Sequence, residues 1–224
     1  ATAACPSILS LPASNNMFFA IHSNCLLSCL ASFRGTKGTT SSKSVLFVLN
    51  KIPKYIERAY EVKQNIKPGT NWICDTYTTI NTNYKMMEDP TFFDLLAECN
   101  YQVKEFARYH GVNRAKPHLD DCWLNIAPPG EYQEFHTHQG SHFSLVYYLK
   151  VKPNCGQIAF KGIVETTNMY PPPFDVSNSL NIGVFKIEPK ESRMLIFPSH
   201  LQHMVEKNKS DEDRISIAMN YSFK

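Results

Sequence analysis

At 224 residues the chain can hold one sizeable domain, or a domain with an appendage. A formal net charge of +3, with 43% hydrophobic and 19% charged residues, is ordinary for a globular protein and gives no ground for nucleic-acid binding. No basic stripe interleaved with aromatics occurs, and no apolar run is convincing as a membrane span.

The first fifty residues differ from the rest. No acid precedes Glu57, serine and threonine abound, and the apolar run from Met17 is interrupted at Ser23 and Asn24. Acid-poor, serine-rich composition suits an organellar targeting segment, a packed extension or a non-native stretch. Residues 1–43 are therefore read as an extension, and residues 44–224 as the domain. The seven cysteines (Cys5, Cys25, Cys29, Cys74, Cys99, Cys122 and Cys155) are odd in number and irregularly spaced, without a C-x-x-C. That argues against a disulfide framework or zinc ribbon and for a reducing, cytoplasmic compartment, or an organelle if residues 1–43 are a targeting segment.

In chain order, Val45 to Leu49 reads as a buried strand and Tyr55 to Gln64, after Pro53, as a short helix. Lys67-Pro68-Gly69 reads as a turn and Trp72 to Tyr77 as a short strand. The strongest helix follows. Asp89 is its cap, Pro90 its first residue, and Phe92, Phe93, Leu96, Cys99, Val103, Phe106 and Ala107 form one apolar face, ending at His110-Gly111. Eight short strands come after it: Asp121–Ile126, Glu134–His138, His142–Val151, Gln157–Phe160, Val184–Glu188, Arg193–Phe197, Gln202–Lys207 and Arg214–Phe223. Pro- and Gly-rich turns separate them, as in a jelly roll. The fold class is thus mainly β with a helical lead-in.

The chemistry concentrates in three segments. Glu134 to Leu149 reads as one long strand, so His136 and His138 share a face and both imidazoles can aim at one point. A third histidine, His203, lies far along the chain, and Arg214 follows it. Three neutral imidazoles can hold a divalent metal at about 2.0–2.2 Å with positions left open for water or substrate. Each histidine alone would be an ordinary polar residue; it is their grouping that suggests a metal. His142 has the same parity as His138 but lies about 13 Å away on an extended strand, which excludes it unless residues 139–141 bulge. His200 stands in a turn beside the better-placed His203. A guanidinium such as that of Arg214 grips a carboxylate with two parallel hydrogen bonds. Its partner is either an anionic ligand or an acid of the adjacent loop: Asp211, Glu212 or Asp213. Ser216 shares its strand parity and can add a hydroxyl.

From about Val45 to Tyr221 the chain resembles the 2-oxoglutarate- and iron(II)-dependent oxygenases related to prolyl hydroxylases, in a branch common in marine bacteria and their phages. The carrying segments are Trp72 to Tyr77, Trp123-Leu124-Asn125, Glu134 to Leu149, Leu195 to Val205 and Arg214 to Asn220. The resemblance implies a double-stranded β-helix with iron on His136, His138 and His203 and the far carboxylate of 2-oxoglutarate on Arg214, with Tyr148 as a further partner. It implies a hydroxylase that uses O2 and couples decarboxylation of 2-oxoglutarate to oxidation of an unidentified small molecule or peptide. The wider superfamily has His-x-Asp where this chain has His136-Thr137-His138, which leaves the ion's charge less offset. Glu134 or water is the alternative to His138. The loop Gly162 to Leu180, with its Pro171-Pro172-Pro173 run, is read either as a roof over the barrel or as a plain crossover. Two rival readings keep the barrel: a cupin-like three-histidine metalloenzyme that does not need Arg214, and a non-enzymatic binding module.

Overall fold

The computed structural model describes residues 18–20, 47–69, 73–162, 173, 175–176 and 183–224. In chain order these form β1 (Phe18–Ala20), α1 (Ile52–Asn65), β2 (Tyr77–Thr78), α2 (Phe93–Tyr109), β3 (Pro117–Ala127), β4 (Gln133–His136) and β5 (Phe143–Lys150). They continue with β6 (Ile158–Lys161), β7 (Val184–Ile187), β8 (Met194–Pro198), β9 (His203–Val205) and β10 (Arg214–Phe223). All eight strands expected after the helix are present, with ends shifted by a few residues.

The lead-in helices follow their apolar spacing. Helix α1 carries Pro53 in its first turn and buries Tyr55, Ala59 and Val62. Asp89 accepts a hydrogen bond from the Thr91 amide at 2.9 Å and caps a 3-10 turn, Pro90–Phe92, that leads into α2. The same carboxylate receives Arg58 Nε and the Tyr84 hydroxyl, each at 2.7 Å, and so ties α1 to the start of α2. Leu95, Leu96, Cys99, Val103, Phe106 and Ala107 are buried on one side of α2. Phe93, expected on that side, is 50% exposed, because the 3-10 turn rotates it away and Phe92 fills the core instead. Gly111 stops the helix with φ +79°.

The strands form two sheets, ordered β1-β8-β5-β10-β3-β2 and β4-β9-β6-β7. Every pairing is antiparallel except that of β1 with β8. In the larger sheet Leu124, Ile126, Leu145, Tyr147, Leu149, Ile215, Ile217, Met219 and Tyr221 join one core cluster with the buried faces of α1 and α2. Each such side chain contributes roughly 1.5–3 kcal/mol by leaving water. The alternate residues point the other way, towards the smaller sheet: Trp123, Asn125 and Ala127; Ser144, Val146 and Tyr148; Arg214, Ser216 and Ala218. A second, smaller cluster of Tyr148, Ile158, Phe160, Ile187, Leu195 and Phe197 fills part of that inter-sheet space. The helix side of the sheet is thus mainly apolar, and most of the buried polar residues of β3, β5 and β10 face the inside of the barrel.

Three local expectations change. Residues 47–49 are helical rather than a strand, and Val45 and Leu46 lie outside the described residues. The strand expected over Trp72 to Tyr77 reduces to Tyr77–Thr78, with Trp72 outside the described residues. The stretch Glu134 to Leu149 is not one strand: a turn at Gln139-Gly140 sends β4 to the smaller sheet and β5 to the larger. Most of the loop Gly162 to Leu180, including Pro171 and Pro172, also lies outside the described residues. Among the described residues no helix is long and apolar enough to cross a membrane.

Candidate metal and anion site

Strands β4 and β9 set His136 directly opposite His203 in the ladder, with ring centroids 4.3 Å apart. A register shift between Gln133 and His136 re-aims the end of β4. The third imidazole arrives differently. His138 lies beyond β4, where its amide donates to the Ser199 carbonyl at 3.0 Å. Its ring stacks between Trp123 (centroids 5.6 Å, interplanar 25°) and His203 (5.1 Å, 6°). Ser199 is itself held, its hydroxyl 2.8 Å from that of Ser144, which also donates to Asn220 Oδ1 at 3.0 Å. The three rings meet, but a turn and the Ser199–Ser144 contact, not a shared strand face, place His138.

One ligand nitrogen from each of His136, His138 and His203 lies within 4.8 Å of the others. His138 Nε2 is 3.3 Å from His203 Nε2. Nitrogens about 2.0–2.2 Å from a common ion sit roughly 3–4 Å apart, so the set needs only a small contraction to hold one. The tautomers are prepared for it. His136 Nδ1–H donates to the Glu134 carbonyl at 2.7 Å, and His203 Nδ1–H donates to the Leu201 carbonyl at 2.8 Å. A carbonyl can only accept, so the lone pair of each ring is left on Nε2, towards the cavity. Burial lowers the pKa of His136 and takes that of His203 well below its ordinary value. Burial, then the neighbouring His136, takes His138 to about 4. Neutral imidazoles are the ligand-competent form.

The other end of the same cavity is prepared for an anion. Arg214 is 4% exposed, and its Nη1 donates to the carbonyls of Cys155, Gly156 (3.4 Å) and Glu206 (3.4 Å). Among the described residues no carboxylate forms an ion pair with it. The loop acids go elsewhere: Glu212 pairs with Lys150 and Lys152, and Asp213 lies 3.9 Å from Lys63. Burial lowers the Arg214 pKa, a sign of a cation held in a poorly solvating site. Gly156 makes room for it: a Cβ there would stand 2.9 Å from Nη1 and 2.2 Å from the Glu206 carbonyl oxygen. Ser216 and Tyr148 are ladder partners on adjacent strands, and both line the cavity.

Three other residues weighed as ligands lie apart from the imidazole cluster. The Glu134 carboxylate accepts from the Ile73 amide at 2.9 Å and is not part of the imidazole cluster. His142 sits at the far end of β5, where its Nδ1 accepts from the Phe223 amide at 3.3 Å. His200 is an exposed turn residue. Sequence reading missed Asn125, Trp123, Gln133 and Thr76 as cavity residues. The alternation Trp123-Leu124-Asn125-Ile126-Ala127 was a usable signal for the first two, once Leu124 and Ile126 are assigned to the helix side.

Residues 121–220 match the model of the family described as "Putative 2OG-Fe(II) oxygenase". No curated protein matches the chain. Among solved structures, a Pseudomonas putida prolyl-4-hydroxylase is 13% identical with a TM-score of 0.56, over 78% of this chain and 87% of that one. A 2OG-Fe(II) oxygenase family oxidoreductase from Burkholderia pseudomallei is 12% identical with a TM-score of 0.53, over 85% and 94%. The epimerase SnoN, in complex with Fe3+, alpha ketoglutarate and nogalamycin RO, is 12% identical with a TM-score of 0.56, over 77% and 74%. At these identities the likeness is one of fold, and it establishes the mainly β, double-stranded β-helix architecture with helices at its N-terminal side.

Proposed function

We propose that this chain, whose residues 121–220 match the model of the 2-oxoglutarate- and iron(II)-dependent oxygenase family, is a hydroxylase of that family acting on an unidentified small molecule or peptide. His136, His138 and His203 would hold one iron(II), and Arg214 the far carboxylate of 2-oxoglutarate. Iron and 2-oxoglutarate held there would supply the chemistry for using O2 to hydroxylate a substrate C–H bond, with 2-oxoglutarate converted to succinate and carbon dioxide.

The protein's own contribution is positioning. The backbone acceptors at Glu134 and Leu201 fix two imidazoles with their Nε2 lone pairs inward. The carbonyls around Nη1 fix the guanidinium so that its remaining N–H groups can meet a carboxylate in the bidentate manner. Ser216 and Tyr148 are the hydroxyls nearest in register to that end, and we assign them to the same carboxylate. Three neutral imidazoles would leave the full positive charge of a bound ion unoffset, which would favour a dianionic cosubstrate.

The observation that carries this reading is the pairing, in one cavity, of three converging imidazoles with a buried arginine that no acid of the described chain neutralises. A cupin-like three-histidine enzyme would use the first feature and has no need of the second. The test is anaerobic titration of the iron(II)-loaded protein with 2-oxoglutarate, followed by visible absorption. A weak charge-transfer band that saturates at one equivalent supports the proposal. Its absence from folded, iron-loaded protein would remove the basis for it.

A further inference from the structure

The three imidazoles are not prepared alike. His136 and His203 each give Nδ1–H to a main-chain carbonyl, at 2.7 and 2.8 Å, so their Nε2 lone pairs are set before an ion arrives. His138 Nδ1 has no hydrogen-bond partner among the described residues, and the hydrogen bond of this ring joins its Nε2 to His203 Nε2 at 3.3 Å. A neutral imidazole donates through one nitrogen and accepts through the other. His203 already donates through Nδ1, so its Nε2 can only accept, and His138 Nε2 must carry the proton between them. The nitrogen that His138 turns towards the cluster is therefore the protonated one, which has no lone pair for a metal.

The main chain adds to the difference. His136 and His203 are ladder partners on β4 and β9, whereas His138 stands beyond β4, its amide tied to the Ser199 carbonyl at 3.0 Å. Its neighbours Thr137, Gln139 and Gly140 are exposed and its ring is half-buried, so water can exchange the ring proton. To bind an ion, His138 must lose the Nε2 proton to water and take one up on Nδ1, with no change in ring charge. The other two rings need no such step. Three neutral ligands would also leave the charge of an ion unoffset, so an anion that replaces one of them is favoured electrostatically. We propose that His138 is the exchangeable member of the triad: it binds the ion only after this tautomer change, holds it least, and yields its coordination position to a small anionic donor such as a carboxylate. This rests on the shared metal site of the proposed function above, and not on the assignment of 2-oxoglutarate.

The test uses the full chain without 2-oxoglutarate. Long-range proton–nitrogen correlation spectra of the metal-free wild type report which ring nitrogen bears the proton, and zinc(II), which is diamagnetic, is then added. His136 and His203 should carry Nδ1–H throughout, and His138 should change from Nε2–H to Nδ1–H as zinc(II) binds. Nδ1–H on His138 in the metal-free protein would overturn the proposal, and this reading depends on no variant. Iron(II) affinity is then measured anaerobically for His136→Ala, His138→Ala and His203→Ala, with melting temperatures alongside. His138→Ala should lose no more than the roughly 10–100-fold typical of an outer partner, and the other two should lose more. Added formate should restore part of the loss in His138→Ala. A loss in His138→Ala as large as in the other two, or no response to formate, would overturn the proposal. A wild type that binds neither ion would sink the proposed function and this inference with it. A wild type that binds the ion but not 2-oxoglutarate would remove the cosubstrate assignment and leave this inference standing.

Discussion

Gly156→Ala tests whether the backbone around Arg214 is built for a close approach. The residue has φ +90°, which a side chain adopts at a cost of roughly 1–2 kcal/mol. Its new Cβ would also stand 2.2 Å from the Glu206 carbonyl oxygen and 2.9 Å from Arg214 Nη1. The first of these is a backbone atom and cannot swing aside, so a further overpacking cost of about 1–3 kcal/mol follows. Together the substitution should destabilise by about 2–5 kcal/mol, a fall in Tm of roughly 4–20 °C for a domain of this size. Gly111→Ala is the control: its φ is +79° and no atom lies within 4 Å of its Cβ, so only the conformational part applies. Thermal melts of both variants separate the two contributions. Because relief of the clash must move the 155–156 carbonyls that hold Nη1, Gly156→Ala should also weaken 2-oxoglutarate, and Gly111→Ala should not. Equal melting temperatures with unchanged 2-oxoglutarate affinity would refute the packing argument.

Other outcomes follow from the same geometry. His203→Ala removes a nearly inaccessible imidazole that the proposed function makes an iron ligand, and should lower iron(II) affinity by more than the roughly 10–100-fold typical of an outer partner, as read by equilibrium dialysis. Ser144→Ala should cost about 1–3 kcal/mol by orphaning Asn220 Oδ1. It should also loosen iron(II), because Ser199 no longer holds His138 as firmly; a melt and a metal titration read the two effects separately. Burial raises the Asp89 pKa, but hydrogen bonds from Arg58, Tyr84 and Thr91 outweigh it and leave the value below the ordinary one. Its stabilising contribution is therefore complete above the unfolded pKa near 4 and lost as pH falls through the folded value. Asp89→Asn should thus melt lower than wild type at pH 7, and the gap should narrow below about pH 4.

Much of this was visible in the chain. The alternation Arg214-Ile215-Ser216-Ile217-Ala218-Met219-Asn220-Tyr221 already separates a polar face from an apolar one, and β10 follows it residue by residue. The histidine pattern found the imidazole cluster. What it could not supply was non-local. His138 owes its place to a turn and to Ser199, some sixty positions downstream, and period-2 reasoning has no access to either. For Arg214 the sequence left open an anionic ligand or an acid of the adjacent loop, and it gave no sign of the carbonyls of Cys155, Gly156 and Glu206 that hold Nη1. Val48 is buried as expected, yet on a helical stretch, because a short apolar run fits either kind of element. Asn125 stayed hidden because alternation along β3 separates two faces without saying which one meets a cavity.

The most direct measurement is a crystal structure of the protein grown anaerobically with manganese(II), as a redox-inert substitute for iron(II), and 2-oxoglutarate. The account predicts one ion bonded to Nε2 of His136, His138 and His203, and a carboxylate of the acid on the Arg214 guanidinium. An ion bound elsewhere, or an acid that leaves Arg214 untouched, would contradict it.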